Sequence, residues 1–596
     1  MTRSKRSRIE PPANAQLVDP RRGDVEDDAA SPKQRSLLRI AGSLLVEISL
    51  PKLVFAWTVS LLLPAILLGL TPLVATAWLA TVSEQFLALS EIGASAALIL
   101  AVALGWIGWR PLLRIAEMNF WSLNALAVQP GYAFCREVLR HFAERLFARR
   151  STAARQARLR AGSSAAAGTA VCGCAIWISI LVWPGSRWMG TVADFVALHR
   201  LVVPTLANSI VLVSGYLAIA ALAWGLADAS MDQPVDVGVF DGAPLGRRTW
   251  RVAHLSDLHV VGERYGFRIE SGRAGPRGNE RFEQVLSRLA VIHAAHAVDL
   301  VLVSGDMTDA GRATEWAEFL ETVAHYPALA ERMIVLPGNH DVNIVDRANP
   351  ARLDLPFSPG KRLRQMRTLS AMAAVQGDRV QIVDGAAHRS LTLNQALAPH
   401  RARIAGFTDN GGLRRAAGLG HLFDDQFPMV LPPGPEGGLG VAILNSNADT
   451  HFSFTNALGL VSVEQTHRLA AAINAFPESS WIVALHHHLL EYPGPVAALS
   501  QRIGTALING SWFVRKLRPF ADRIVVMHGH RHIDWIGSCG ALRIVSAPSP
   551  VMGSIDDGPT YFHIHKLAVG AEGRVSLLPP ERIDVTAAGS GPMKGV

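Results

Sequence analysis

Cysteine is scarce in this chain and charge is thinly spread. The 596 residues hold four cysteines, Cys135, Cys172, Cys174 and Cys539. Two of these lie inside an apolar run, so neither a secreted disulfide framework nor a zinc ribbon fits, and a reducing compartment is the simpler setting. Charged residues make up 18% of the sequence against 49% hydrophobic, and the apolar excess is concentrated before Ser230. No basic patch interleaved with stacking aromatics stands out, which argues against nucleic acid as a partner. The net charge is nevertheless +8, and much of the basic surplus flanks the apolar runs, where anionic headgroups account for it. A chain this long exceeds one compact core, so two or more regions are expected.

Charge is missing altogether from Leu53 to Ser83, Ile92 to Trp109, Ala161 to Ser186 and Leu201 to Ala227. Each stretch passes the roughly 18 residues that a spanning helix needs. The expectation is an all-α transmembrane domain over residues 51–230, with about four helices near 53–80, 92–109, 163–184 and 202–227. Trp78, Trp109, Trp183 and Trp188 fall near the proposed ends, where interfacial aromatics belong. The N-terminal tail carries about ten Lys and Arg and the segment from Arg110 to Arg160 about ten Arg, whereas the other links carry few. The positive-inside rule then makes both basic segments cytoplasmic and returns the chain to the cytoplasm after Ala227. This implies a bacterial-type inner (plasma) membrane protein with a cytoplasmic C-terminal region.

Residues 1–50 are polar at first, lack periodicity and read as a disordered cytosolic tail. They do not read as a signal peptide, because the apolar region starts late and runs long. Between the second and third spans, Phe134, Val138, Leu139, Phe142, Leu146 and Phe147 recur at helical spacing, opposed by Arg136, Arg140, Arg145, Arg149 and Arg150. This is the pattern of a basic amphipathic helix on the inner leaflet, with membrane lipids as its partner. No carboxylate or basic residue falls inside a proposed span, so an ion pathway has no support.

After a linker at 231–248 the texture changes to short apolar runs alternating with amphipathic helices, expected around Arg281–His293, Thr314–Val323 and Glu464–Ile473. The strand-like runs end in chemistry. Trp250 to Leu255 delivers Asp257 and His259, Leu300 to Val303 delivers Asp306, and Met333 to Val335 delivers Asn339, His340 and Asp341. Trp481 to Leu485 delivers His486, His487 and His488, and Ile524 to Met527 delivers His530 and His532. Candidate ligands at the C-terminal ends of buried strands are where α/β sheets place their sites. Asp257, His259, Asp306, Asn339, one histidine of the triplet, His530 and His532 offer hard oxygen and imidazole donors without thiolate, a set suited to Mn, Fe or Zn. They are too many for one ion and suit two, bridged by a carboxylate, as in in-line phosphoryl displacement.

The ordered series Asp257-x-His259, Gly305-Asp306, Gly338-Asn339-His340-Asp341, the histidine triplet and Gly529-His530-x-His532 resembles the calcineurin-like metallophosphoesterase family over roughly residues 249–566. The resemblance implies a four-layer α/β-β/α sandwich. It implies that Asp257, His259, Asp306 and His532 hold one metal and that Asn339, a triplet histidine and His530 complete a second, with Asp306 bridging. The nucleophile would be a metal-bridging hydroxide, His340 would contact the scissile phosphate, and Asp341 would orient His340. The nearest likeness is to a bacterial branch of cyclic-nucleotide and glycerophosphodiester phosphodiesterases. That branch usually shows His-His-Pro; aligning His487-His488-Leu489 with it selects His487 as the ligand, with His486 as the alternative and His488 behind the site or facing substrate.

The implied activity is hydrolysis of a phosphate ester, chiefly a diester, of nucleotide type. A lipid-linked phosphate or pyrophosphate, or a non-catalytic metal-binding sensor or scaffold, are the alternatives. Residues 343–440 lack clean periodicity and carry Arg347, Arg352, Lys361, Arg362, Arg364 and Arg367, which suits either a rim that attracts anionic substrate or a solvated insertion. Residues 567–596 are expected to be a tail.

Overall fold

The computed structural model describes residues 54, 58, 62–87, 129–147, 153–242, 248–263, 266–269, 277–346, 352–354, 358–383, 390–410, 412–434, 438–493, 505, 507–552 and 559–585. They fall into two compact units, one before and one after Asp232.

The first unit is helical: α1 (Leu63–Leu87), α2 (Gln129–Phe147), α3 (Ala153–Val182) and α4 (Val202–Ala229). Three stretches, Leu63–Ser83, Arg155–Gly185 and Leu198–Ala229, are long and apolar enough to cross a membrane. They correspond to the first, third and fourth expected spans; the second, 92–109, lies outside the described residues. Small residues let their backbones approach closely. A Cβ on Gly168 of α3 would meet the Ala221 carbonyl oxygen of α4 at 2.6 Å. Asn208, fully buried on α4, donates to Gly69 O at 3.1 Å and accepts from Arg187 N at 3.0 Å.

Helix α2 is amphipathic in the expected register, but its polar side faces inward. Tyr132 Oη and Arg136 Nη1 both donate to Asp228 Oδ2, at 2.9 and 2.8 Å. Glu137, buried beside them, accepts from Arg136 Nε at 2.9 Å and from Arg140 Nη1 at 3.2 Å. Phe134, Phe142, Leu146 and Phe147 are exposed. Helix α2 is described to Phe147 and α3 from Ala153, so Arg149 and Arg150 lie outside the described residues. Asp228 lies in the last turn of α4, just past the charge-free run.

Among the described residues the second unit holds fourteen strands in two sheets. One runs β1 (Pro234–Asp236), β11 (Trp535–Cys539), β12 (Leu542–Ser546), β10 (Ile524–His528), β9 (Ser480–Ala484), β8 (Leu439–Ile443), β7 (Met429–Leu431), β5 (Gln381–Val383) and β6 (Ser390–Thr392). The other runs β14 (Val575–Asp584), β13 (Tyr561–Val569), β2 (Thr249–Leu255), β3 (Leu300–Val303) and β4 (Met333–Val335). β2, β3 and β4 are parallel, as are β8, β9, β10 and β12. Such strands are covered on both faces, which is why their sequences are nearly unbroken apolar runs. Both sheets contribute to one contiguous hydrophobic core.

Helix α5 (Glu280–Ala295) buries Phe282, Val285, Leu286 and Leu289, one stripe at helical spacing. α6 (Ala313–Ala324) buries Trp316, Phe319 and Val323, with Phe319 stacked on Phe282 at 5.7 Å. α8 (Val463–Ala475) starts where Ser462 Oγ accepts from Gln465 N at 3.1 Å.

Three boundaries differ from expectation. The supposed linker contributes β1, paired with β11, and the supposed C-terminal tail contributes β14, paired with β13. The region at 343–440 is neither rim nor solvated insertion where it is described. It supplies β5, β6, β7 and α7 (Pro359–Gln376), whose Met366, Leu369 and Met372 join the core. Lys361, Arg364 and Arg367 are buried with it, Lys361 paired with Asp449 and Arg364 with Asp354. Arg352 pairs with Asp346 at 3.3 Å. Cations that disguise a core helix in the sequence are here neutralised by carboxylates from neighbouring segments.

Between β2 and β13 lies a buried histidine group. His254 and His563 are register partners, and the His254 and His565 rings sit 5.7 Å apart. His563 Nε2 meets Asp534 Oδ2 at 3.0 Å. Burial first, and His563 second, push the fully buried His565 down to about 3 from 6.5. Above pH 6.5 His565 is neutral in both folded and unfolded chains; below it the unfolded chain takes a proton that the folded chain refuses, so stability falls with pH. Replacing His565 with Leu is expected to flatten the pH dependence of unfolding below pH 6.5 by up to about 1.4 kcal/mol per pH unit. Denaturant titrations of wild type and variant at several pH values read this slope, and identical slopes would contradict it.

Candidate metal centre

The parallel strands end at one place. β2 carries the chain into Asp257 and His259, β3 into Asp306, β4 into a one-turn helix at Asn339–Val342, β9 into the histidine triplet and β10 into His530 and His532. Six non-glycine residues among those described have positive φ, and five of them are expected ligands: Asp257 (55°), His259 (45°), Asp306 (51°), His530 (76°) and His532 (55°). A left-handed backbone costs such residues about 1–3 kcal/mol each and persists only where neighbours enforce it. Here the loops hold one another. Asp257 N donates to Gly305 O and His259 N to Asp306 O, both at 3.0 Å, while His530 N donates to the Asp257 carboxylate at 3.0 Å.

The donor atoms form two groups that share Asp306. In the first, His532 Nε2 lies 3.3 Å from Asp257 Oδ1, His259 Nε2 lies 3.4 Å from His532 Nε2, and His259 Nε2 lies 3.8 Å from Asp306 Oδ2. In the second, His486 Nε2 lies 3.2 Å from Asp306 Oδ2 and 3.1 Å from Asn339 Oδ1. His530 Nδ1 lies 3.0 Å from Asn339 Oδ1 and 3.2 Å from His486 Nε2. Ligands at about 2.0–2.2 Å from one cation sit about 3.0–3.5 Å from each other, so these separations, the 3.8 Å from His259 to Asp306 excepted, match the edges of coordination polyhedra. Facing imidazole nitrogens repel unless a proton or a cation lies between them, and the residues therefore fit a metal pair. Burial alone would lower His486, yet Asp306 beside it lifts it to about 9. Burial lowers His259 and His530 well below the ordinary range, so these rings stand ready as neutral donors.

The triplet resolves differently from the alignment-based expectation. His486, not His487, points its ring nitrogen into the cluster. His487 Nδ1 instead faces Ser446 Oγ at 2.9 Å, and the same hydroxyl accepts from the main-chain N–H groups of His486 and His487, each at 3.1 Å. A Cβ on Gly459 would meet His487 Cγ at 2.6 Å, so the glycine leaves room for this ring. Consecutive residues leaving a strand point in different directions, and a sequence cannot tell which of three histidines has the right one. His488 meets Glu491 at 3.3 Å.

His340 and Asp341 also depart from the expected pairing. His340 Nδ1 donates to the main-chain oxygen of Asp309 at 2.7 Å, and its ring packs edge-on against His259 at 4.5 Å. Asp341 turns away and accepts from Thr308 Oγ1 at 2.7 Å, Thr308 N at 2.9 Å and Gly338 N at 2.9 Å. It thus staples the loop after β3 to the loop after β4. Asp309, which the sequence reading passed over, lies with Oδ1 3.2 Å from His259 Nδ1 and accepts from Ile269 N. Its only signal was a second carboxylate in Gly305-Asp306-Met307-Thr308-Asp309.

Residues 251–414 match the family model described as Calcineurin-like phosphoesterase. No curated protein matches the chain. Among solved structures, the chain is similar to a dimetal phosphatase from Danio rerio, at 11% identity and a TM-score of 0.33, covering 56% of this chain and 99% of that one. It is also similar to a protein described as a 5′-nucleotidase from Staphylococcus aureus in complex with alpha-ketoglutarate, at 12% identity and a TM-score of 0.28, covering 57% of this chain and 55% of that one.

Because Asp341 satisfies three buried donors, its replacement by Ala is expected to destabilise the metal-free protein by at least about 2 kcal/mol, and Asn by less. Denaturant unfolding of chelator-treated protein measures this. A variant that lost hydrolysis while keeping full stability would show that Asp341 acts on the reaction and not on the loop.

Proposed function

We propose that this protein is a membrane-anchored, two-metal phosphoric ester hydrolase acting mainly on diesters. The observation that carries the reading is the pair of donor groups sharing Asp306 at ligand-edge separations, on a chain whose residues 251–414 match a phosphoesterase family. Asp257, His259, Asp306 and His532 would hold one ion, and Asp306, Asn339, His486 and His530 the other. His486 takes the place first given to His487. When bound, two such cations supply charge neutralisation for the phosphate and a hydroxide nucleophile at neutral pH.

The remaining work falls to the chain. His340 is held by its Nδ1 bond to Asp309 O. Burial lowers its proton affinity, but Asp306 and Asp309 more than offset this and raise it above the ordinary value. A ring whose hold on its proton is strengthened in this way suits a group that contacts the phosphate and protonates the leaving oxygen. Asp309 orients both His259 and His340, and Asp341 keeps the two loops in register.

Three long apolar helices support a membrane anchor, and the outward apolar side of α2 supports a helix lying at the lipid boundary. Anchoring favours a second reading of the substrate, a lipid-linked phosphate or pyrophosphate, beside a soluble nucleotide-type diester.

Purified protein loaded with Mn²⁺ is expected to hydrolyse bis(p-nitrophenyl) phosphate faster than p-nitrophenyl phosphate, and Asp306→Asn or Asn339→Ala to reduce the rate at least about a hundredfold. Wild-type rates equal to those of both variants would reject the hydrolase reading. Alkaline carbonate washing of membranes is expected to leave the chain in the pellet, and its release would reject the anchor.

A further inference from the structure

The loop after β9 and the loop after β10 together carry His486, His530 and His532, and they meet through side chains that belong to neither donor group. Glu491 Oε2 accepts from Arg531 Nη1 at 2.8 Å, and Glu491 Oε1 lies 3.3 Å from His488 Nε2. All three are buried: the side chains of His488, Glu491 and Arg531 are 2%, 10% and 6% exposed. Arg531 sits between His530 and His532, both on left-handed backbone, and its guanidinium lies over the Tyr492 ring at 5.6 Å. Tyr492 in turn bonds Ser546 Oγ at 2.9 Å and stacks parallel to His528. His488 lies parallel to His530, with ring centres 5.9 Å apart.

We infer that Glu491 is a positioning residue for the metal pair, a clasp that fixes His530 from two sides. Through Arg531 it holds the backbone that presents His530 and His532; through His488 it backs the His530 ring. The left-handed conformations of these two residues are unfavourable alone, so a tie on the residue between them is well placed to resist their relaxation. Bonds behind a ligand commonly set metal affinity by about 10–100-fold. The inference rests on the two-metal reading above.

The test uses the full chain in detergent, stripped with chelator and titrated with Mn²⁺, in four forms: wild type, Glu491→Ala, Glu491→Gln and Glu464→Ala. Glu464 pairs with Arg468 on the exposed face of α8 and controls for loss of a surface carboxylate. Calorimetry gives the affinity of each ion, and electron paramagnetic resonance distinguishes a coupled Mn pair from isolated Mn. The expected result is that Glu491→Ala weakens at least one ion by about 10–100-fold and loses the coupled signal at stoichiometric Mn²⁺. Glu491→Gln, which can still accept from Arg531, should recover part of the loss, and Glu464→Ala should match wild type. Two ions bound by Glu491→Ala with wild-type affinities would overturn the clasp. So would equal metal loss in the Ala and Gln variants accompanied by equal falls in metal-free thermal midpoint, which would mark a fold-wide role. A wild type that binds no coupled pair would overturn the two-metal reading and the clasp together.

Discussion

Everything in the second unit depends on holding electron-rich donor atoms about 3 Å from one another. His486 Nε2, His530 Nδ1, Asn339 Oδ1 and Asp306 Oδ2 crowd at 3.0–3.2 Å, a spacing that repels without positive charge between them. Five of the donor residues, Asp257, His259, Asp306, His530 and His532, also occupy unfavourable left-handed backbone conformations. Neither arrangement is stable as a local preference. Both are tolerated because seven parallel strands, apolar on both faces, form a rigid base from which the loops cannot retreat.

The loops add their own ties. Asp341 joins the loop after β3 to the loop after β4, Ser446 ties β8 to the histidine triplet, the Asp257 carboxylate accepts from His530 N, and Glu491 reaches Arg531. Each tie joins segments far apart in the chain. Several donors thus have beside them a buried polar group whose partner lies on another loop, which is how a constellation of this kind is held in place.

The two units solve opposite solvent problems. The second buries apolar strands and pairs several of the charged groups it brings inside, as with Arg364 of α7 and Asp354. The first exposes apolar side chains along its long helices and turns the charges of α2 inward onto Glu137 and Asp228. An amphipathic helix with Arg136 and Arg140 turned inward and Phe134, Phe142 and Phe147 exposed suits apolar surroundings, because an inward ion network costs less there than one facing acyl chains.

Much of this was legible in the residue order. The charge-free runs marked the apolar helices, and the unbroken runs of β2, β3, β4, β9 and β10 marked strands whose ends carry the donors, since periodicity and composition act locally. Asp257, His259, Asp306, Asn339, His530 and His532 could be named because each immediately follows such a run. The choice of His486 over His487, the turning of Asp341 away from His340, and the role of Asp309 could not, because each depends on where a side chain points relative to a loop tens or hundreds of residues away. The strands β1 and β14 and the core helix α7 escaped for the same reason. Edge strands and ion-paired buried arginines carry little local signature, and only partners brought in by the fold make them favourable.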